Sequence, residues 1–153
     1  MSKPLRALIL EDYKYDAMLL LRELRHGGFD VDYVVVDTAN GMRTALAERE
    51  WDVILSDYSM PGFDALKALD VLHEHGADIP FIIISGTVEE DVAVTAMKAG
   101  AQDFFSKNKI TRLVPAVERE VQEAQERQKR RTAERLYQQS EARFGTIISV
   151  NPV

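Results

Sequence analysis

The chain has 153 residues, a net charge of −6, 46% apolar and 29% charged residues, the balance of a globular protein rather than a disordered one. It has no cysteine, which excludes a disulfide scaffold and thiol-based metal or redox chemistry. No apolar run approaches the roughly 20 residues that span a bilayer, and no signal-peptide core follows residues 1–6, so a soluble, cytoplasmic protein without membrane contact is expected.

In chain order, short β-type runs alternate with amphipathic helical stretches. The runs are Leu5 to Leu10, Val31 to Val36, Val53 to Leu55, Phe81 to Ile84 and Asp103 to Ser106. Most are continuous rather than alternating, as parallel strands buried on both faces are. Asp16 to His26 carries Ala17, Leu20, Leu21 and Leu24 on one stripe, with Gly27-Gly28 to end it. Asn40 is expected to cap a second helix bearing Met42, Ala45 and Leu46. Leu66, Leu69, Val71 and Leu72 mark a third, and Thr87-Val88-Glu89-Glu90 reads as a capping box opening a fourth, which Gly100 closes. Five such units predict an α/β fold with a doubly wound parallel sheet and right-handed crossovers.

Beyond Ile110 the pattern changes. Val114, Val117, Val121, Ala124 and Gln128 recur at three- and four-residue spacing, the seam of a two-stranded coiled coil. Glu123 with Arg127, and Glu126 with Arg130, are i,i+4 pairs in the favourable order. Leu136, Ser140, Phe144 and Ile147 resume a stripe after a slip. The organisation expected is a core domain over 1–112, a linker helix over 113–140 that pairs two copies into a homodimer, and a further segment over 141–153. Charge follows the same division: residues 1–110 hold 11 Lys/Arg against 19 Asp/Glu, residues 111–153 hold 8 against 6. An acidic first part argues against direct contact with nucleic acid, which needs a positive face.

In an open α/β sheet, ligands sit outside the carboxyl ends of the strands. Strand one ends in Glu11-Asp12, strand three in Asp57, strand four in Ser85-Gly86-Thr87 and strand five in Lys107. Singly, each is ordinary: an Asp after a strand usually caps a helix, and a Ser usually serves a turn. Together, three carboxylates repel unless a cation lies between them. Mg²⁺, or Mn²⁺, takes such oxygen donors and fills its remaining positions with water. Carboxylates, a metal, a lysine and a hydroxyl are what an incoming phosphoryl group needs, with one aspartate attacking phosphorus in line. His26, His73 and His75 lie at helix ends with no nucleophile beside them and are not catalytic candidates.

These residues give the segment from residue 5 to about 120 its resemblance to the response-regulator receiver domain of bacterial two-component systems. The resemblance rests on Glu11-Asp12, on Asp57-Tyr58-Ser59-Met60-Pro61-Gly62-Phe63-Asp64 for D-x-x-M-P-G-x-D, on Ser85, on Ala99-Gly100-Ala101, and on Phe104 with Lys107. It implies the flavodoxin-like strand order 2-1-3-4-5. It implies Asp57 as phosphoacceptor, with Lys107 and Ser85 steadying the phosphoryl group. It further implies Mg²⁺ held by Glu11, Asp12, Asp57 and the backbone carbonyl of Ser59. The donor would be a histidine kinase or phosphotransfer protein. Ser85 and Phe104 would form a switch in which Phe104 turns inward on phosphorylation, and the signal would pass through the last helix. Such a domain is not a metabolic enzyme; it catalyses only its own phosphorylation and slow dephosphorylation.

Three positions depart from the family pattern. Glu11 replaces the commoner Asp, Gly86 a typical Ala, and Asn108 the usual proline after the lysine, so a trans peptide and a repositioned loop are expected there. A non-phosphorylated pseudo-receiver acting as an interaction module is the alternative. A haloacid-dehalogenase-type phosphatase needs a second Asp two residues after the nucleophile, where this chain has Ser59. Ser140 to Val153, with Glu141-Ala142-Arg143-Phe144 and Asn151-Pro152-Val153, resembles the opening of a PAS sensor domain.

Overall fold

The computed structural model describes residues 2–87 and 89–150, the last eight of these by their backbone alone. Five parallel strands, β1 (Lys3–Leu10), β2 (Phe29–Val36), β3 (Val53–Ser56), β4 (Phe81–Ser85) and β5 (Asp103–Ser106), form one sheet in the order 2-1-3-4-5. The helices between them are α1 (Lys14–His26), α2 (Ala39–Glu48), α3 (Ala65–His75) and α4 (Glu90–Lys98), followed by α5 (Leu113–Val150). This is the doubly wound α/β arrangement that the alternating runs predict, in the flavodoxin-like order that the resemblance implies.

Successive side chains on a strand point to opposite faces, and here both faces are covered. Leu8, Leu10, Ile54, Phe81 and Ile83 pack among residues of α2 and α3. Ala7, Ile9, Leu55, Ile82 and Ile84 pack among residues of α1 and the start of α5. Hence β3 and β4 are buried at every residue, whereas the edge strand β2 begins by alternating buried and exposed positions.

The helix ends differ from expectation in detail. Thr38, not Asn40, caps α2, its hydroxyl accepting from the Gly41 N–H at 3.0 Å. The Thr87 capping box does not form: Glu89 is the N-cap of α4 and makes no side-chain cap bond, Val88 lying outside the described residues. The α4 terminus is as expected. Gly100 sits at φ +116°, its N–H donates to the Met97 carbonyl, and the Ala101 N–H donates to Ala96. A Cβ there would stand 2.9 Å from His73 Nε2. Gly100→Ala should therefore lower the urea midpoint, at a cost of about 1–3 kcal/mol for the strained backbone.

The main departure concerns α5. The chain divides into two compact units, Met1–Val121 and Gln122–Val153. Within the first, Leu113, Ala116 and Val117 are buried, and Val114 and Val121 pack partly buried against the same cluster. Val114 also closes over Gly27 at the end of α1, where a Cβ would meet its methyl at 2.5 Å. The opening half of the expected coiled-coil seam is thus core of the domain itself. The second unit exposes Leu136 and Tyr137 at 61% and 66%. Most of the PAS-like segment lies outside the described residues: 151–153 altogether, and 143–150 in their side chains. Among the described residues no helix is long and apolar enough to cross a membrane.

Candidate functional site

Strand register brings the selected residues to one edge. Leu10 pairs with Ser56, Ser56 with Ile83, and Ser85 with Ser106, so Glu11, Asp57, Ser85 and Lys107 all emerge at the carboxyl ends. The Asp57 N–H donates to the Leu10 carbonyl at 2.9 Å and the Glu11 N–H to the Val36 carbonyl at 3.1 Å, extending the sheet's pairing through both acids.

The loop after Asp57 owes its shape to the motif residues. Met60 and Phe63 are buried anchors, Gly62 supplies φ +71°, and Asp64 caps α3 by accepting from the Lys67 N–H at 2.9 Å. The Phe63 N–H donates to the Met60 carbonyl and the Ala65 N–H to that of Tyr58. The carbonyls on either side of Ser59 are thereby spent inside the loop.

Glu11, Asp12 and Asp57 each bring a carboxylate oxygen within 4.8 Å of the others. Glu11 is buried, Asp57 partly so, and Asp12 exposed. Burial and then the nearby Asp57 charge push the Glu11 carboxyl up to about 7, although the Tyr13 N–H and Lys107 oppose the shift. Burial also raises Asp57, aided by Asp12 and opposed by Lys107 and the Tyr58 N–H. Two acids held reluctant to ionise beside a third form a donor set short of positive charge. Such oxygens suit a hard divalent cation.

Lys107 supplies part of that charge. Its Nζ lies 2.6 Å from Asp16 Oδ2, 3.3 Å from Glu11 Oε2 and 3.5 Å from Asp57 Oδ1. Burial disfavours the ammonium, yet the Asp16 hydrogen bond, then the Asp57 and Glu11 charges, hold its pKa above the ordinary value. Asp16 was not among the candidates read from the sequence. The available signal was an acid in the first turn of a helix that starts at the acidic edge.

Ser85 belongs to the edge by register, and its hydroxyl accepts from the Thr87 N–H at 3.4 Å. Phe104, the expected switch aromatic, is 8% exposed and packs against Tyr58 with ring centroids 5.8 Å apart. It thus touches the residue that directly follows Asp57. After Lys107 the chain forms a 3-10 turn, Lys107–Arg112, in which the Asn108 N–H donates to Ser106 Oγ at 3.1 Å. Proline would lack that N–H. No cis peptide occurs among the described residues.

A parallel sheet in this order, with an acidic cluster and a lysine at its carboxyl edge, defines a class, and comparison with known proteins identifies it. The family model for the response regulator receiver domain matches residues 7–118, and the chain belongs to that family. It is 35% identical over 102 residues to the C4-dicarboxylate transport transcriptional regulatory protein DctD of Pseudomonas aeruginosa. That match covers 67% of this chain and 22% of DctD, so the chain spans about a fifth of that relative. Among solved structures, FixJ-N matches with TM-score 0.68 and 28% identity, covering 77% of this chain and 94% of that one. The beryllofluoride-activated NtrC4 receiver domain dimer matches with TM-score 0.66 and 25% identity, covering 78% and 98%.

Proposed function

We propose that the chain is a phosphoacceptor switch in which Asp57 takes a phosphoryl group from the phosphohistidine of a histidine kinase or phosphotransfer protein. The observation that carries this reading is the convergence of Glu11, Asp12 and Asp57 within 4.8 Å, with Lys107 reaching two of them. An Asp57 oxygen bonds to phosphorus as the phosphorus–nitrogen bond breaks, and the imidazole leaves with the electron pair. Lys107 and Ser85 meet the phosphoryl oxygens as charge and hydroxyl donor. Glu11, Asp12, Asp57 and the Ser59 carbonyl are the residues that would hold Mg²⁺ or Mn²⁺, which supplies charge neutralisation at the transferring group.

Tyr13, Tyr15, Met18 and Leu19 beside this edge are 54%, 70%, 53% and 41% exposed. A cluster of exposed apolar residues beside a reactive edge suits docking of a protein donor. Beyond its own transfer and slow hydrolysis the domain turns over no substrate, binds no nucleic acid directly and works in the cytoplasm. The output starts at Asp57, Tyr58 and Phe104, on the sheet face opposite the start of α5, and leaves through α5, whose length beyond Val121 pairs two copies.

The test is labelling by acetyl phosphate, read as the mass of one added phosphoryl group. Label should require Mg²⁺ and vanish in Asp12→Ala with the fold intact; full labelling of that variant would contradict the metal assignment, and an unlabelled wild type would favour the pseudo-receiver. Acidity gives a second check. Because the folded Glu11 carboxyl is raised from 4.5 to about 7, its contribution to stability is present below 4.5 and lost as pH rises through 7. The melting temperature without metal should therefore fall between pH 5 and 8. Mg²⁺, which requires the deprotonated acids, should raise it more at pH 8 than at pH 5.

A further inference from the structure

One ammonium at the acidic edge serves carboxylates from three different elements, and it does not serve them equally. Lys107 donates hydrogen bonds to Asp16 at 2.6 Å and to Glu11 at 3.3 Å, and meets Asp57 only as an ion pair at 3.5 Å. The shortest contact goes to Asp16, an acid outside the trio that converges for a cation. Asp16 reaches Lys107 from the first turn of α1, across 91 residues of sequence. A lysine ends in a compact charge on a flexible stem, so its position is set by whichever anion holds it.

We propose that Asp16 is a positioning residue that tethers Lys107 on the α1 side of the pocket, so that an incoming phosphoryl group must compete with Asp16 for the ammonium. The inference rests on Asp57 being the acceptor. As the Asp57 oxygen bonds to phosphorus and the bond to the departing acetate breaks, negative charge gathers on the phosphoryl oxygens. Lys107 must turn toward them, which leaves the Asp16 carboxylate without its cation. Asp16 keeps 30% of its side chain exposed, so water takes over its hydrogen bonds and the opposition is moderate. Asp16 thereby acts as a brake on phosphorylation, separate from the metal ligands and from the nucleophile.

The experiment compares wild type, Asp16→Asn and Asp16→Glu for their labelling rate by acetyl phosphate at fixed Mg²⁺, alongside the NMR signal of the Lys107 side-chain Cε group. Asp16→Asn should label roughly fivefold faster, the scale of one partly exposed ion pair, while Asp16→Glu stays within about twofold of wild type. The Lys107 signal should shift in Asp16→Asn and return in Asp16→Glu. An unchanged or slower rate in Asp16→Asn overturns the tether, as does acceleration with the Lys107 signal unmoved, which would mark Asp16 as a bystander charge. Wild-type label that survives Asp57→Asn overturns the acceptor reading and the tether together, whereas label confined to Asp57 with an unaltered Asp16→Asn rate overturns the tether alone.

Discussion

Asp57→Asn should abolish labelling by acetyl phosphate and, without metal at pH 8, should melt higher than the wild type. The first effect follows from the nucleophile: an amide oxygen of the same shape cannot displace the leaving group, so the added mass disappears. The second follows from electrostatics. The raised Asp57 pKa means that burial, with the Asp12 charge, disfavours its ionised form despite the opposing pull of Lys107. Removing that charge relieves its repulsion with Asp12 and Glu11 and leaves Lys107 its hydrogen bonds to Asp16 and Glu11. Added Mg²⁺ should narrow the difference, because the wild type gains more from the cation. A variant that melts lower than wild type under all conditions would show that Asp57 is a structural partner of Lys107.

The second large effect concerns the start of α5. Val117 is fully buried in the cluster formed with Leu24, Ile84 and Phe105. Val117→Asp places an unpaired carboxylate there, a substitution that costs several kcal/mol and so takes most of a small domain's stability. Loss of cooperative unfolding by circular dichroism is the expected outcome. Leu136→Asp, at a position 61% exposed, should leave the melting temperature in place and shift sedimentation toward monomer. If Val117→Asp folded normally and only dissociated, the stripe would be an interface after all.

These two positions separate what the sequence makes legible from what only the folded chain determines. The sheet was legible because the central strands β3 and β4 are buried at every residue, and continuous runs such as Phe81 to Ile84 have few other uses in a chain of this polarity. The acidic edge was legible because strand ends are counted from those runs, and the Asp57 to Asp64 segment carries its own anchors, turn and cap. Three- and four-residue spacing, however, marks a helix with one apolar face and does not say what covers that face. For Val114, Val117 and Val121 the domain's own sheet does. Thr38 and Asn40 are both competent caps two residues apart, and only the path of the chain chose Thr38. Asp16 was hidden for another reason: its place in the first turn of α1 marks it as an acid near the edge, but nothing local names a partner 91 residues away. The contact of Phe104 with Tyr58 was not legible either, because only the folded chain brings the two rings together.

Reduction mapping locates the phosphoryl group that Asp57 is proposed to carry. The chain is labelled with acetyl phosphate and Mg²⁺, treated with borohydride, which converts an aspartyl phosphate to homoserine, then digested and sequenced by mass spectrometry. Homoserine is expected at position 57 alone, dependent on Mg²⁺. Homoserine at Asp12 or Asp16, or phosphate retained on Ser59 or Ser85 with position 57 unchanged, would contradict it.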